Sequence, residues 1–205
     1  MKRSWTIIGI VTGAVLLLAL IFAGSYNELV QSRETVRSSI NNLQSQYQRR
    51  ADLVPNLVAT VKGAANFEQT TLTEVVEARA KATQTTIDPS TTTPEQLQQY
   101  QAAQGELSQA LGRLLVVVEA YPELKATEAF RDLTTQLEGT ENRIQVARSD
   151  YGKAVQVYNA KIQRFPTNIT AALFGFEAFP YFNADQGAEQ APSVDFNTSE
   201  PTNEQ

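Results

Sequence analysis

"QRRADLVPNLVATVK", residues 48–62, places two arginines, an aspartate and a proline inside a chain that otherwise reads as nearly unbroken amphipathic helix. Its reading fixes how often the chain runs the length of the molecule, and so where the carboxyl end lies. One reading is a single helix of roughly sixty residues kinked at Pro55, which leaves a three-helix body. The other is a tight reversal in which Arg49 and Arg50 occupy the last turn of one helix, Asp52 caps the next, and Pro55 falls in its first turn. Cations offset the partial negative charge at a helix C-terminus, Asp accepts from first-turn N–H groups, and proline there gives up only a donor that has no partner. The kink explains the proline alone. The reversal explains Arg49, Arg50, Asp52 and Pro55 together, although no glycine stops the first helix, and it is the reading adopted.

On either side the apolar spacing is helical. Tyr26, Val30, Arg33, Val36, Ile40, Leu43 and Tyr47 step by three and four, and a second stripe runs Val54, Val58, Val61, Ala65, Glu68, Leu72, Val75, Arg79 and Ala82. "QTTIDPSTTTPEQ", residues 84–96, then loses the period. Thr93 as N-cap, Pro94 at the first helical position and Gln96 three residues after the Thr predict a third helix. Its stripe is Leu97, Gln101, Gln104, Leu107, Leu111, Leu114 and Val118, ended by Pro122. The fourth runs from Phe130 through Leu133, Leu137, Glu141, Ile144, Arg148, Tyr151, Val155, Tyr158 and Ile162 to Phe165. Short connections between long amphipathic helices predict an all-α, antiparallel up-and-down four-helix bundle.

Upstream, "WTIIGIVTGAVLLLALIFAG", residues 5–24, carries no charge and is long enough to cross a bilayer core of roughly 30 Å. Lys2 and Arg3 precede it, and Trp5 and Tyr26 stand near its ends, as in an anchored single-pass helix. A cleaved signal peptide is the alternative, but the run is long for one and Ala23-Gly24-Ser25 is its only small-x-small site. The reversal lies roughly 35–40 Å beyond such a membrane, and an even number of passes brings Phe165 back to it. Arg33 and Arg37 nearly balance Lys2 and Arg3, tipping the amino terminus to the cytoplasmic side and the body outside. The expected organisation is an anchor over 1–24, a helical bundle over 25–182, and a disordered tail over 183–205.

Composition removes most chemistry. The chain has 42% hydrophobic residues, no Cys and no His, which excludes thiol nucleophiles, imidazole zinc sites and Ser-His-Asp triads. The net charge is -5, and no Lys or Arg follows Arg164, so the basic footprint that nucleic acid requires is missing. No cofactor, metal or small-molecule substrate is expected. An enzyme would have to use Glu68 and Glu141 as acid and base in a shared pocket.

"YNELVQSRETV", "RRADLVPNLVATVKG", "LEGTENRIQVARSDYGKAVQVYNAKIQRFP" and "ALFGFEAFPYF" resemble the successive signatures of the LemA family of bacterial membrane-anchored proteins, over about residues 24–182. The resemblance implies a helical bundle behind an N-terminal anchor in a family without a settled molecular activity. "SSINNLQSQYQRR" departs from it, since a tryptophan near position 39 is expected in the family.

Two groups of residues stand out as candidate sites. Arg33, Glu68, Arg79, Glu141 and Arg148 fall on apolar stripes, where charges need partners. They form either a buried polar layer, with each glutamate accepting from an arginine, or a set of stripe-edge residues reaching solvent. Phe174, Phe176, Phe179, Tyr181 and Phe182 read as a cap folded onto the bundle end or as an interface with membrane or partner. A non-enzymatic membrane scaffold or adaptor, self-associating or binding other proteins, is the leading function. A regulatory accessory to an envelope protease or transporter is the alternative.

Overall fold

The structure is a computed structural model and describes residues 2–63 and 67–182. The expected tail over 183–205 and Ala65 of the second stripe lie outside the described residues. Among the described residues six helices follow one another: α1 (Lys2–Lys62), α2 (Gln69–Gln84), α3 (Pro94–Val118), α4 (Pro122–Lys125), α5 (Glu128–Gln163) and α6 (Thr167–Phe174). Among the described residues there is no strand.

The reversal expected at Arg49, Arg50, Asp52 and Pro55 does not occur. α1 runs unbroken for 61 residues with Pro55 inside it. The apolar seam explains why: buried positions continue in phase as Val36, Ile40, Leu43, Tyr47, Arg50, Val54, Leu57 and Val61, alternating steps of four and three. A corner at Asp52 would break that seam. The cost of the proline is met from another helix. Pro55 has no N–H to give the carbonyl four residues back, and the Arg79 Nε of α2 donates to that same carbonyl, Ala51 O, at 2.8 Å. The chain turns instead after Lys62, a cation in the last turn, and the Gly63 N–H donates to Thr60 O at 3.3 Å.

Moving the corner leaves the number of passes unchanged. The body part of α1 leads away from the apolar segment, α2 returns, α3 leads away again and α5 returns. Ion pairs fix the antiparallel registers. Lys161–Glu28 at 3.0 Å and Glu141–Arg50 at 3.0 Å join α5 to α1, while Lys81–Glu106 at 2.6 Å and Glu74–Arg113 at 3.1 Å join α2 to α3. α3 begins as its local signals require, with a complete Thr93/Gln96 capping box and Pro94 in the first turn. α5 is N-capped by Thr127, whose hydroxyl accepts from Phe130 N.

α1 and α5 extend beyond the shorter α2 and α3, so the core divides in two. Toward the apolar segment, the near cluster gathers Leu29, Val36, Ile40 and Leu43 of α1 with Tyr151, Val155 and Tyr158 of α5. The far cluster gathers Val54, Leu57 and Val61 with Leu72, Leu107, Leu114 and Phe130. Arg50 lies between the two.

Candidate functional site: a polar layer across four helices

Arg50 follows Tyr47 on the α1 seam, so the helix carries its side chain into the core, where it is 2% exposed. A guanidinium presents five donors and stays charged, so its burial requires several acceptors. One terminal nitrogen donates to Ser108 Oγ at 2.6 Å and to Glu141 Oε2 at 3.0 Å. The other donates to Gln104 O at 3.0 Å and Gln104 Oε1 at 2.9 Å. The cation also lies 5.1 Å from the centre of the Tyr47 ring, a favourable face contact. Gln104 then passes the connection on, its Nε2 donating to Ala82 O at 3.1 Å in the last turn of α2, where helical carbonyls lack partners. With Arg79 holding Ala51 O, polar contacts tie α1, α2, α3 and α5 together at one level.

The layer opens to solvent beside Glu141. The Glu141 side chain is 43% exposed, and a cleft of about 650 Å³ beside it is lined by Arg50, Gln98, Gln104, Ser108, Glu141 and Arg148, among others. Glu68 is not among the residues that line it. That side chain stands at the N-cap of α2, where its Oε2 accepts from Thr71 Oγ1 at 3.3 Å. The shared Glu68/Glu141 pocket required for acid–base chemistry is therefore not formed by this cleft.

Of the five charged residues expected in a polar layer, the structure brings two to this level, Arg79 and Glu141. Arg148 borders the cleft and lies 5.5 Å from the Phe182 ring centre, and Arg33 lies 4.8 Å from that of Phe176. The central cation is Arg50, which its residue type and neighbours in the sequence place at a helix end. Its signal in the sequence was the stripe itself, which continues in phase from Tyr47 through Arg50 to Val54. Gln104 stands on the third stripe as a polar residue among apolar ones, whereas Ser108 carries no such mark.

Near the apolar segment the aromatic run forms a strap. Gly175, at φ 68°, ends α6 in the left-handed region, and the chain then runs back along α5. Phe176 is buried, with Phe179 against Tyr158 and Phe182 against Tyr151. The Asn159 amide grips the strap twice, Nδ2 donating to Phe179 O at 2.9 Å and Oδ1 accepting from Phe179 N at 3.0 Å. Tyr151 adds its hydroxyl to Pro180 O at 2.8 Å. Burial pushes the Tyr151 and Tyr100 phenols well above their ordinary value. Phe174 and Tyr181 remain exposed.

These features define a helical bundle grown without a joint from a helix that is also long and apolar enough to cross a membrane. The chain belongs to the LemA family, whose model matches residues 39–196. It is similar to the magnetosome protein MamQ 2 of Paramagnetospirillum magneticum, at 29% identity over 174 residues, 77% of this chain and 64% of that protein. It is also similar to the protein LemA of Metamycoplasma hominis, at 26% identity over 183 residues, 89% of this chain and 78% of that protein. The magnetosome protein MamQ of Magnetospirillum gryphiswaldense is 26% identical over 175 residues, again 77% of this chain and 64% of that protein. The chain thus spans less than two thirds of the MamQ relatives' length.

Proposed function

We propose that this protein is a non-enzymatic, membrane-anchored scaffold that holds protein partners, or further copies of itself, at the surface of a bacterial inner membrane with its body on the extracytoplasmic side. The continuity of α1 carries this reading. Its apolar N-terminal part passes into the bundle core as one helix, so whatever docks on the body is held at a fixed level above the lipid. The polar layer fits a structural part in this scheme. Arg50 is held by three side chains and a backbone carbonyl, an arrangement suited to fixing helix register. The relatives' names, magnetosome protein and LemA, name no reaction.

Cross-linking in intact cells followed by mass spectrometry tests the reading. Recurrent links from the body to envelope proteins or to a second copy are expected, and a body linked to nothing at native abundance contradicts it. Links confined to one protease or transporter would favour the accessory role instead. Protease added to spheroplasts should remove the body, and its protection would reverse the orientation.

A further inference from the structure

The exposed apolar residues of the body are scattered singly, as Val76, Val116, Val146 and Val157, and such residues need no special account. At α6 they are not scattered. Phe165 is 75% exposed, Ile169 46% and Leu173 71%, and Phe174 is exposed beside them. The spacing of four sets Ile169 and Leu173 in a row on one face of α6, with the exposed Phe165 just ahead of the helix, while Thr170 and Ala171 form the opposite, buried face against the bundle. α6 is thus an amphipathic helix with its apolar side outward.

Its position gives that side an occupant. α6 packs on α1 and α5, and the Phe174 ring lies 4.9 Å from that of Tyr26, two residues beyond the uncharged segment 5–24. Twenty residues rise roughly 30 Å, the thickness of a hydrocarbon core, so Tyr26 stands at the headgroup level when that segment spans. Arg164 flanks the row at the C-cap of α5, a cation suited to phospholipid headgroups.

We propose that the row Phe165, Ile169, Leu173 and Phe174 enters the headgroup–acyl boundary of the bilayer that α1 crosses, giving the protein a second, shallow membrane contact. The lipid face of α1 and the outer face of α6 then form one continuous apolar surface. This rests on the anchored reading given above, and the test separates the two.

The chain has no cysteine, so single substitutions accept one environment-sensitive fluorophore each. Ile169→Cys and Leu173→Cys report on the row, Leu17→Cys on the span, and Val116→Cys on the far part of α3. The full-length protein is reconstituted in vesicles of phosphatidylethanolamine and phosphatidylglycerol containing spin-labelled lipid. Labels at 169 and 173 should be blue-shifted and quenched severalfold more than the label at 116, with the quenching independent of the protein-to-lipid ratio. If position 17 is quenched while 169 and 173 behave like 116, the anchor stands and the row does not touch lipid. If 17 is unquenched as well, the anchor and this contact fail together. Shielding of 169 and 173 that grows with protein density, without quenching, assigns the row to a second copy and overturns the proposal. A Phe165→Ser/Ile169→Ser/Leu173→Ser variant, altered only at exposed positions, should melt as the parent does yet lose vesicle protection of the Arg164 bond from trypsin.

Discussion

At the scale of single residues, Arg50 and Arg79 do different work. Arg50→Ala removes the donor that Gln104, Ser108 and Glu141 share, and should lower the unfolding free energy by about 3–5 kcal/mol. A loss in denaturant unfolding below about 1 kcal/mol would put Arg50 among exposed pairs and refute the layer. Arg79 acts through a single backbone carbonyl. Arg79→Met should cost about 1–3 kcal/mol, and Pro55→Ala should erase most of that cost by restoring a backbone N–H for Ala51 O. Additive effects in this double-mutant cycle would show that the two residues are not coupled. The buried phenols make a third case. Burial holds Tyr100 and Tyr151 protonated, so their contribution to stability is complete below the ordinary phenol value of about 10. It is lost as pH rises above that value toward their raised folded values. Tyrosinate absorbance and helicity followed from about pH 8 to 12 should change together, and ionisation of these tyrosines in a still-folded protein would contradict it.

Among the elements, the strap depends most on few contacts. Asn159→Ala removes both bonds to Phe179 and leaves its N–H and C=O without partners, so hydrogen exchange at Phe179 should speed up while α1 amides keep their protection. Unchanged exchange there would mean that ring packing alone holds the strap. The elements also show where the sequence could be read. α3 was legible because Thr93, Pro94 and Gln96 act on neighbours within one turn, and α5 because its steps of three and four hold from Phe130 to Ile162 through the charged Glu141 and Arg148. The corner is not legible because Arg49, Arg50, Asp52 and Pro55 are the residue types of a helix end, whereas the bond that makes Pro55 tolerable comes from Arg79 in another helix. The polar layer was half legible for the same reason. Glu141 and Arg79 break apolar stripes and so announce themselves, but Arg50 is recognisable only once the seam is followed beyond Tyr47. The strap's rings could be counted, yet Asn159 looked like any polar residue.

For the whole molecule, the even number of passes follows from a corner displaced beyond Lys62, with α1 and α5 brought together near the apolar segment by the Lys161–Glu28 pair. Spin labels at Ser25→Cys and Lys62→Cys should be about 55 Å apart by helical rise, while Ser25→Cys and Gln163→Cys should be much closer. Comparable separations for the two pairs would end the antiparallel arrangement. The unbroken α1 also has a mechanical consequence. Because the same rod crosses from lipid to the outer corner, the body works as a lever with its fulcrum in the bilayer. A thinner bilayer that tips the rod by about 20° swings the outer corner sideways by about 20 Å. Lipid composition, far from that corner, would then set where it points.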